Sequence, residues 1–149
     1  MIVREILFKA KRADNGEWME GFLTRSISGF PAILPDDCIN SVEINENTVC
    51  QYTGLTDKNG NKIWENDILR YSYEYPGSPW LKKGEDIKYS VGAVFWHKWR
   101  GAWAVCGHGT SRIINQDVFT YCRIPNRTEV IGNIFDNTEL LGEVEDERD

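Results

Sequence analysis

The segment from Gln51 to Tyr71, QYTGLTDKNGNKIWENDILRY, constrains the fold most, because turn-forming residues interrupt it every few positions. Asn59-Gly60 is a strong hairpin dipeptide, since both residues accept positive φ. It stands between Leu55 and Ile63-Trp64. Asn66-Asp67 then offers a second bend before Ile68-Leu69-Arg70-Tyr71. Apolar runs this short, bounded by turn residues, read as strands.

The same pattern recurs along the chain. Residues 3–24 read as a hairpin: Ile6, Phe8 and Ala10 alternate with Leu7, Lys9 and Lys11, Asp14-Asn15-Gly16 supplies the turn, and Trp18, Met19, Phe22 and Leu23 return. Gly29, Pro31 and Pro35 punctuate residues 25–41, which read as irregular, with a turn or helix start at Pro35-Asp36-Asp37. Val42 to Tyr52 carries spaced β-branched residues interrupted by Asn45-Glu46-Asn47, and Pro76 to Gly84 reads as a loop. Val91 to Val105 is a hairpin with Arg100-Gly101 near its turn, and Glu129 to Phe135 is a further strand. Asn137 is placed to N-cap a short helix over Thr138-Glu139-Leu140-Leu141. The expected fold is therefore mainly β and hairpin-rich, either barrel-like or two small β subdomains, with a short C-terminal helix. Its 149 residues make one domain over 1–142, with subdomains at about 1–50 and 51–142, followed by an acidic tail over 143–149.

Charge bears on partners. The net charge is −6, which repels phosphate backbones at long range and opposes non-specific nucleic-acid binding. The tail holds five acids and one arginine, however, so it carries −4 and the body only −2. The N-terminus lacks the apolar core of a secretory signal, and no apolar run approaches membrane-spanning length. Reduced thiols are the expectation for Cys38, Cys50, Cys106 and Cys122.

Three patches carry a resemblance. Arg4-Glu5-Ile6-Leu7-Phe8-Lys9-Ala10 opens the chain, Gln51 to Ile68 lies in the middle, and Glu129 to Leu141 closes it. In order and spacing they resemble the YopX family of phage and prophage proteins. The family usually has Gly where this chain has Asn66, often Pro where it has Thr138, and often an aromatic where it has Lys11. The resemblance implies a small, β-rich, phage-associated protein in the cytoplasm of a bacterial host; it brings no established activity and no catalytic residues. The motif residues Gly54, Asp57, Asn59, Gly60, Glu65, Asn66 and Asp67 read as turn formers, and Tyr52, Leu55, Ile63, Trp64 and Ile68 as core.

The chemical alternatives are thin. Asp57, Asn59 and Asn61 copy the first ligand positions of a calcium loop, but Lys62 and Ile68 stand where Gly and Glu are required. Cys106 and His108 lack the close cysteine pair of a zinc site and the orienting motif of a thiol nucleophile. Gly107 to Ser111 is neither a nucleophile elbow nor a phosphate loop. The expectation is a non-enzymatic accessory protein without metal or cofactor and away from the membrane.

Its β surface is expected to bind a protein partner, copies of itself included, through Tyr71, Tyr73, Tyr75, Lys98, Trp99 and Arg100. Two plainer readings stand beside this. Trp96 and Trp103 can be core, and the tyrosines a cross-strand ladder or a subunit contact. The alternative function is single-stranded nucleic-acid binding by Trp99, Lys98, Arg100 and the Lys82-Lys83 loop.

Overall fold

The structure is a computed structural model, and it describes residues 4–36, 40–72, 74, 77–79, 81–107, 116–122 and 127–142. The fold is mainly β, built from two antiparallel sheets, and among the described residues neither sheet closes into a barrel. The chain divides into two compact units, Met1–Gly54 and Leu55–Asp149.

In the first unit, β1 (Phe8–Lys11) and β2 (Trp18–Arg25) form the expected hairpin. Gly16 takes φ +73° at its turn, and Asn15 Oδ1 accepts from the Glu17 N–H at 2.9 Å. Phe8 and Ala10 turn into the core as the alternation requires, but Ile6 is exposed and Leu7 is buried. Residues 31–34 are not irregular: Pro31–Leu34 is β3, laddered to β2 from Phe22↔Leu34 to Arg25↔Pro31. Proline is tolerated because it is the first residue of the strand, where a missing N–H costs no ladder bond. Its carbonyl still accepts from the Ile44 N–H at 3.1 Å.

β4 (Val42–Glu43) joins β3, the 3-10 turn η1 (Glu46–Thr48) follows, and β5 (Cys50–Thr56) pairs with β1. A single bridge, Arg12↔Ile44, ties the β4 end back to β1. Ala10, Ile33 and Ile44 form the core of this unit, with Phe8, Met19 and Val49 against it.

The second unit takes over at Leu55. β6 (Lys62–Trp64), β7 (Asp67–Tyr71), β8 (Ser90–His97), β9 (Ala102–Gly107), β10 (Gln116–Asp117) and β11 (Thr128–Asn133) follow. Five of these make an antiparallel sheet in the order β10-β9-β8-β7-β11. Of β7 only Arg70 is exposed, as expected of a strand covered on both faces. Ile63, Leu69, Tyr71, Val94, Val105, Val118 and Tyr121 form the core, each large aliphatic contributing about 1.5–3 kcal/mol.

Two short helical pieces complete the unit. α1 (Val118–Cys122) buries Val118 and Tyr121, three residues apart, while Asp117 Oδ1 caps it through the Phe119 N–H at 2.9 Å. The expected C-terminal helix is a 3-10 turn, η2 (Thr138–Leu141). Asn137 precedes it but does not cap it. Its Oδ1 reaches back to the Asn133 N–H at 3.2 Å.

Candidate interaction surfaces

The β8–β9 hairpin was the surface singled out from the sequence. Its turn is tight: the Arg100 and Gly101 N–H groups both donate to the His97 carbonyl, at 3.1 and 2.9 Å, and Gly101 takes φ +59°. The turn therefore holds Lys98, Trp99 and Arg100 at the hairpin tip, with the Trp99 side chain 85% exposed. Lys98 Nζ lies 5.4 Å from the Trp99 ring centre, within cation–π range. One step down the ladder, Trp96 and Trp103 are register partners and meet edge to face at 5.0 Å. Trp103 packs on the core, but Trp96 is 47% exposed, so the reading of both as core holds for only one of them.

Of the three tyrosines, Tyr71 is described and does not stand on an open face. Tyr71 is 5% exposed and its ring centre lies 4.8 Å from that of Tyr121, inside the core cluster. It is therefore corrected from surface residue to core residue, because both faces of β7 are covered. Tyr73 and Tyr75 lie outside the described residues, as do His108 and Ser111. The Lys82-Lys83 turn also carries acid: Glu85 Oε2 accepts from the Lys82 N–H at 3.3 Å. Cys122 is no poised nucleophile, since burial pushes its thiol up and the charges of Asp57 and Asp117 add to that.

The motif residues resolve into a lock. Gly54 takes φ +85°, Gly60 φ +80° and Asn66 φ +68°, the last being the only non-glycine residue with positive φ among those described. Asp57 ties its own turn to a distant strand. Its Oδ1 accepts from the Asn59 and Asn61 N–H groups, both at 2.9 Å, and its Oδ2 accepts from the Val130 N–H at 2.9 Å, 73 residues away. The Lys58 N–H donates to the Thr128 carbonyl at 3.0 Å, so the turn runs along the free edge of β11. Lys58 Nζ and Arg70 Nη1 approach Glu129 Oε2 at 3.3 and 3.9 Å. Asp67 Oδ2 accepts from the Trp64 N–H at 2.8 Å and closes the second bend beside Glu65 and Asn66. The Ile134 N–H then donates to the Asn66 carbonyl at 3.0 Å.

The two later patches of the resemblance thus bind each other. A family model described as YopX protein matches residues 28–142. The chain belongs to the YopX family. A crystal structure of a protein from Enterococcus faecalis is similar with a TM-score of 0.54 and 25% identity, covering 93% of this chain and 99% of that one. A search of curated proteins finds no match. The opening patch over Arg4 to Ala10 falls outside the matched residues.

Seen through the YopX family, the departures have simple causes. Asn66 holds the positive φ that glycine otherwise supplies, and Thr138 occupies the first position of η2, where proline is also tolerated. Lys11 lies with Lys9 over the Trp18 ring, at 5.4 and 4.7 Å, instead of adding an aromatic to the core.

One surface of this YopX-family chain escaped the sequence reading. The β2–β3 hairpin exposes Phe22 and Leu23 on opposite faces of β2, and Ile27 and Phe30 at its tip. Its tip is ordered: the Ser26 N–H donates to the Phe30 carbonyl at 2.7 Å, and Ser26 Oγ accepts from the Phe30 N–H at 3.2 Å. Gly29 between two apolar runs was the available signal, and Pro31 masked it.

Proposed function

We propose that this YopX-family chain is a non-enzymatic phage or prophage accessory protein of the bacterial cytoplasm that works by binding protein. What carries the reading is the concentration of exposed apolar side chains on two ordered hairpins: Phe22, Leu23, Ile27 and Phe30 on one, Trp96 and Trp99 on the other. Ordered, solvent-facing aromatic and aliphatic groups cost little entropy on binding and suit an interface centre. Strand addition is a poor route, because the edge strands β4, β6 and β10 are only two or three residues long and the Asp57 turn lies along β11. Recognition therefore falls to side-chain surfaces.

The second reading, single-stranded nucleic-acid binding, draws on Lys98 held against Trp99 with Arg100 beside it. A stacking platform needs several open ring faces and a cationic groove. The tip offers one open indole, since Trp96 is engaged by Trp103, and the Lys82-Lys83 turn is diluted by Glu85.

A photo-crosslinking residue at position 27 or 99 in host cells separates the two. Protease-sensitive adducts at either position support protein binding. Nuclease-sensitive adducts confined to position 99 support the second reading, and no adduct at either position overturns both.

A further inference from the structure

A cavity of about 470 Å³ lies beside the β2–β3 hairpin, lined by Leu23, Thr24, Arg25, Pro31, Glu46 and Val49. Its lining combines apolar Leu23, Pro31 and Val49 with one cation, Arg25, and one anion, Glu46. Arg25 Nη1 donates to the Gly29 carbonyl at 2.9 Å, and neither Arg25 nor Glu46 has an ion-pair partner among the described residues. Two residues beyond Arg25 the hairpin tip carries an apolar knob. Ile27 is fully exposed at the tip, and the hydrogen bonds from Ser26 to Phe30 hold it there. A β-branched side chain on a closed turn has few rotamers to lose on insertion.

One face thus bears a knob, a hole, a positive group and a negative group. A two-fold axis brings each residue i against j and each j against i, so a surface that carries both members of each pair can seat a second copy of itself. We infer that the β2–β3 face of the first unit is a homodimer interface. Ile27 of each copy enters the cavity of the other, and Arg25 faces Glu46 of the partner subunit. This rests on the protein-binding reading above and names the partner at one of its two hairpins. Phe30, at the same hairpin tip as Ile27, adds exposed apolar surface.

Sedimentation equilibrium of the full chain across micromolar to submillimolar concentrations tests it. The wild-type chain is expected to dimerise, and Ile27→Asp to weaken dimerisation about tenfold or more. Ile27 is fully exposed, so at concentrations where the wild-type chain is monomeric the melting temperature of that variant should match wild type. Glu46→Arg should weaken the dimer a few-fold by placing like charges together, and adding Arg25→Glu should restore it, which only a reciprocal pair achieves. A chain monomeric at every concentration overturns the proposal, as does a dimer indifferent to all three variants. A monomer that sediments with anionic phospholipid vesicles through Ile27 also overturns it, in favour of a membrane surface. A monomer whose position-27 crosslinks carry other proteins overturns the dimer alone and leaves the protein-binding reading standing.

Discussion

Replacing Asp57 should unlock the second unit. Its carboxylate accepts three backbone N–H groups at 2.9 Å, two from its own turn and one from Val130 on β11. Hydrogen bonds to a charged acceptor contribute about 1.5–3 kcal/mol each, and an orphaned buried donor costs about 1–3 kcal/mol. Water can reach the Asn59 and Asn61 amides once the carboxylate is gone, so their loss is the smaller part. The Val130 amide is partner to a side chain that is 7% exposed, so it loses most.

Asp57→Ala is therefore expected to cost about 3–5 kcal/mol, a large share of the roughly 5–15 kcal/mol by which domains are stable. Asp57→Asn is the sharper variant. One amide oxygen can keep the Asn59 and Asn61 bonds, but the amide nitrogen then points a donor at the Val130 donor, for a loss of about 1–3 kcal/mol. Urea unfolding followed by tryptophan emission gives the stability, and hydrogen exchange at Val130 gives the local effect. Asp14→Asn is the control, an exposed carboxylate paired with Arg12 at 2.7 Å whose loss should leave the midpoint unchanged. An Asp57→Asn protein with the wild-type midpoint and a protected Val130 amide would refute the lock.

Three further outcomes are expected. A Cβ on Gly132 would lie 2.6 Å from Asn137 Oδ1, so Gly132→Ala should lower stability by about 1–3 kcal/mol in thermal melts. Asn66→Gly should be near neutral, whereas Asn66→Ala should cost about 1–2 kcal/mol, because Asn66 holds φ +68°; equal melting temperatures for the two would contradict this. Cys122 should alkylate far more slowly in the native protein than in urea at pH 8, as peptide mass mapping can read. Because the folded thiol binds its proton more tightly than the unfolded one, stability should also fall as pH rises past about 9, and Cys122→Ala should remove that component.

The turns were legible in the sequence because positive φ is a local demand met by few residue types. Gly16, Gly60, Asn66 and Gly101 sit at turns where the residue pattern places them. Within the candidate surface, Trp99 was legible for the same reason: a tight turn at Arg100-Gly101 leaves the preceding side chains nothing to pack against. Tyr71 was not, since its alternation with Tyr73 and Tyr75 fits an open face as well as a covered one. β3 and α1 were missed as well, the first hidden by its leading proline and the second too short to show a helical period. The sequence by itself determined where the chain turns, and so that it is a hairpin protein of the YopX family. Only the tertiary structure decided which faces are buried, that Asp57 reaches Val130, and that Ile27 stands beside a cavity. Burial and long-range hydrogen bonds depend on residues distant along the chain, whereas a turn depends only on its own few.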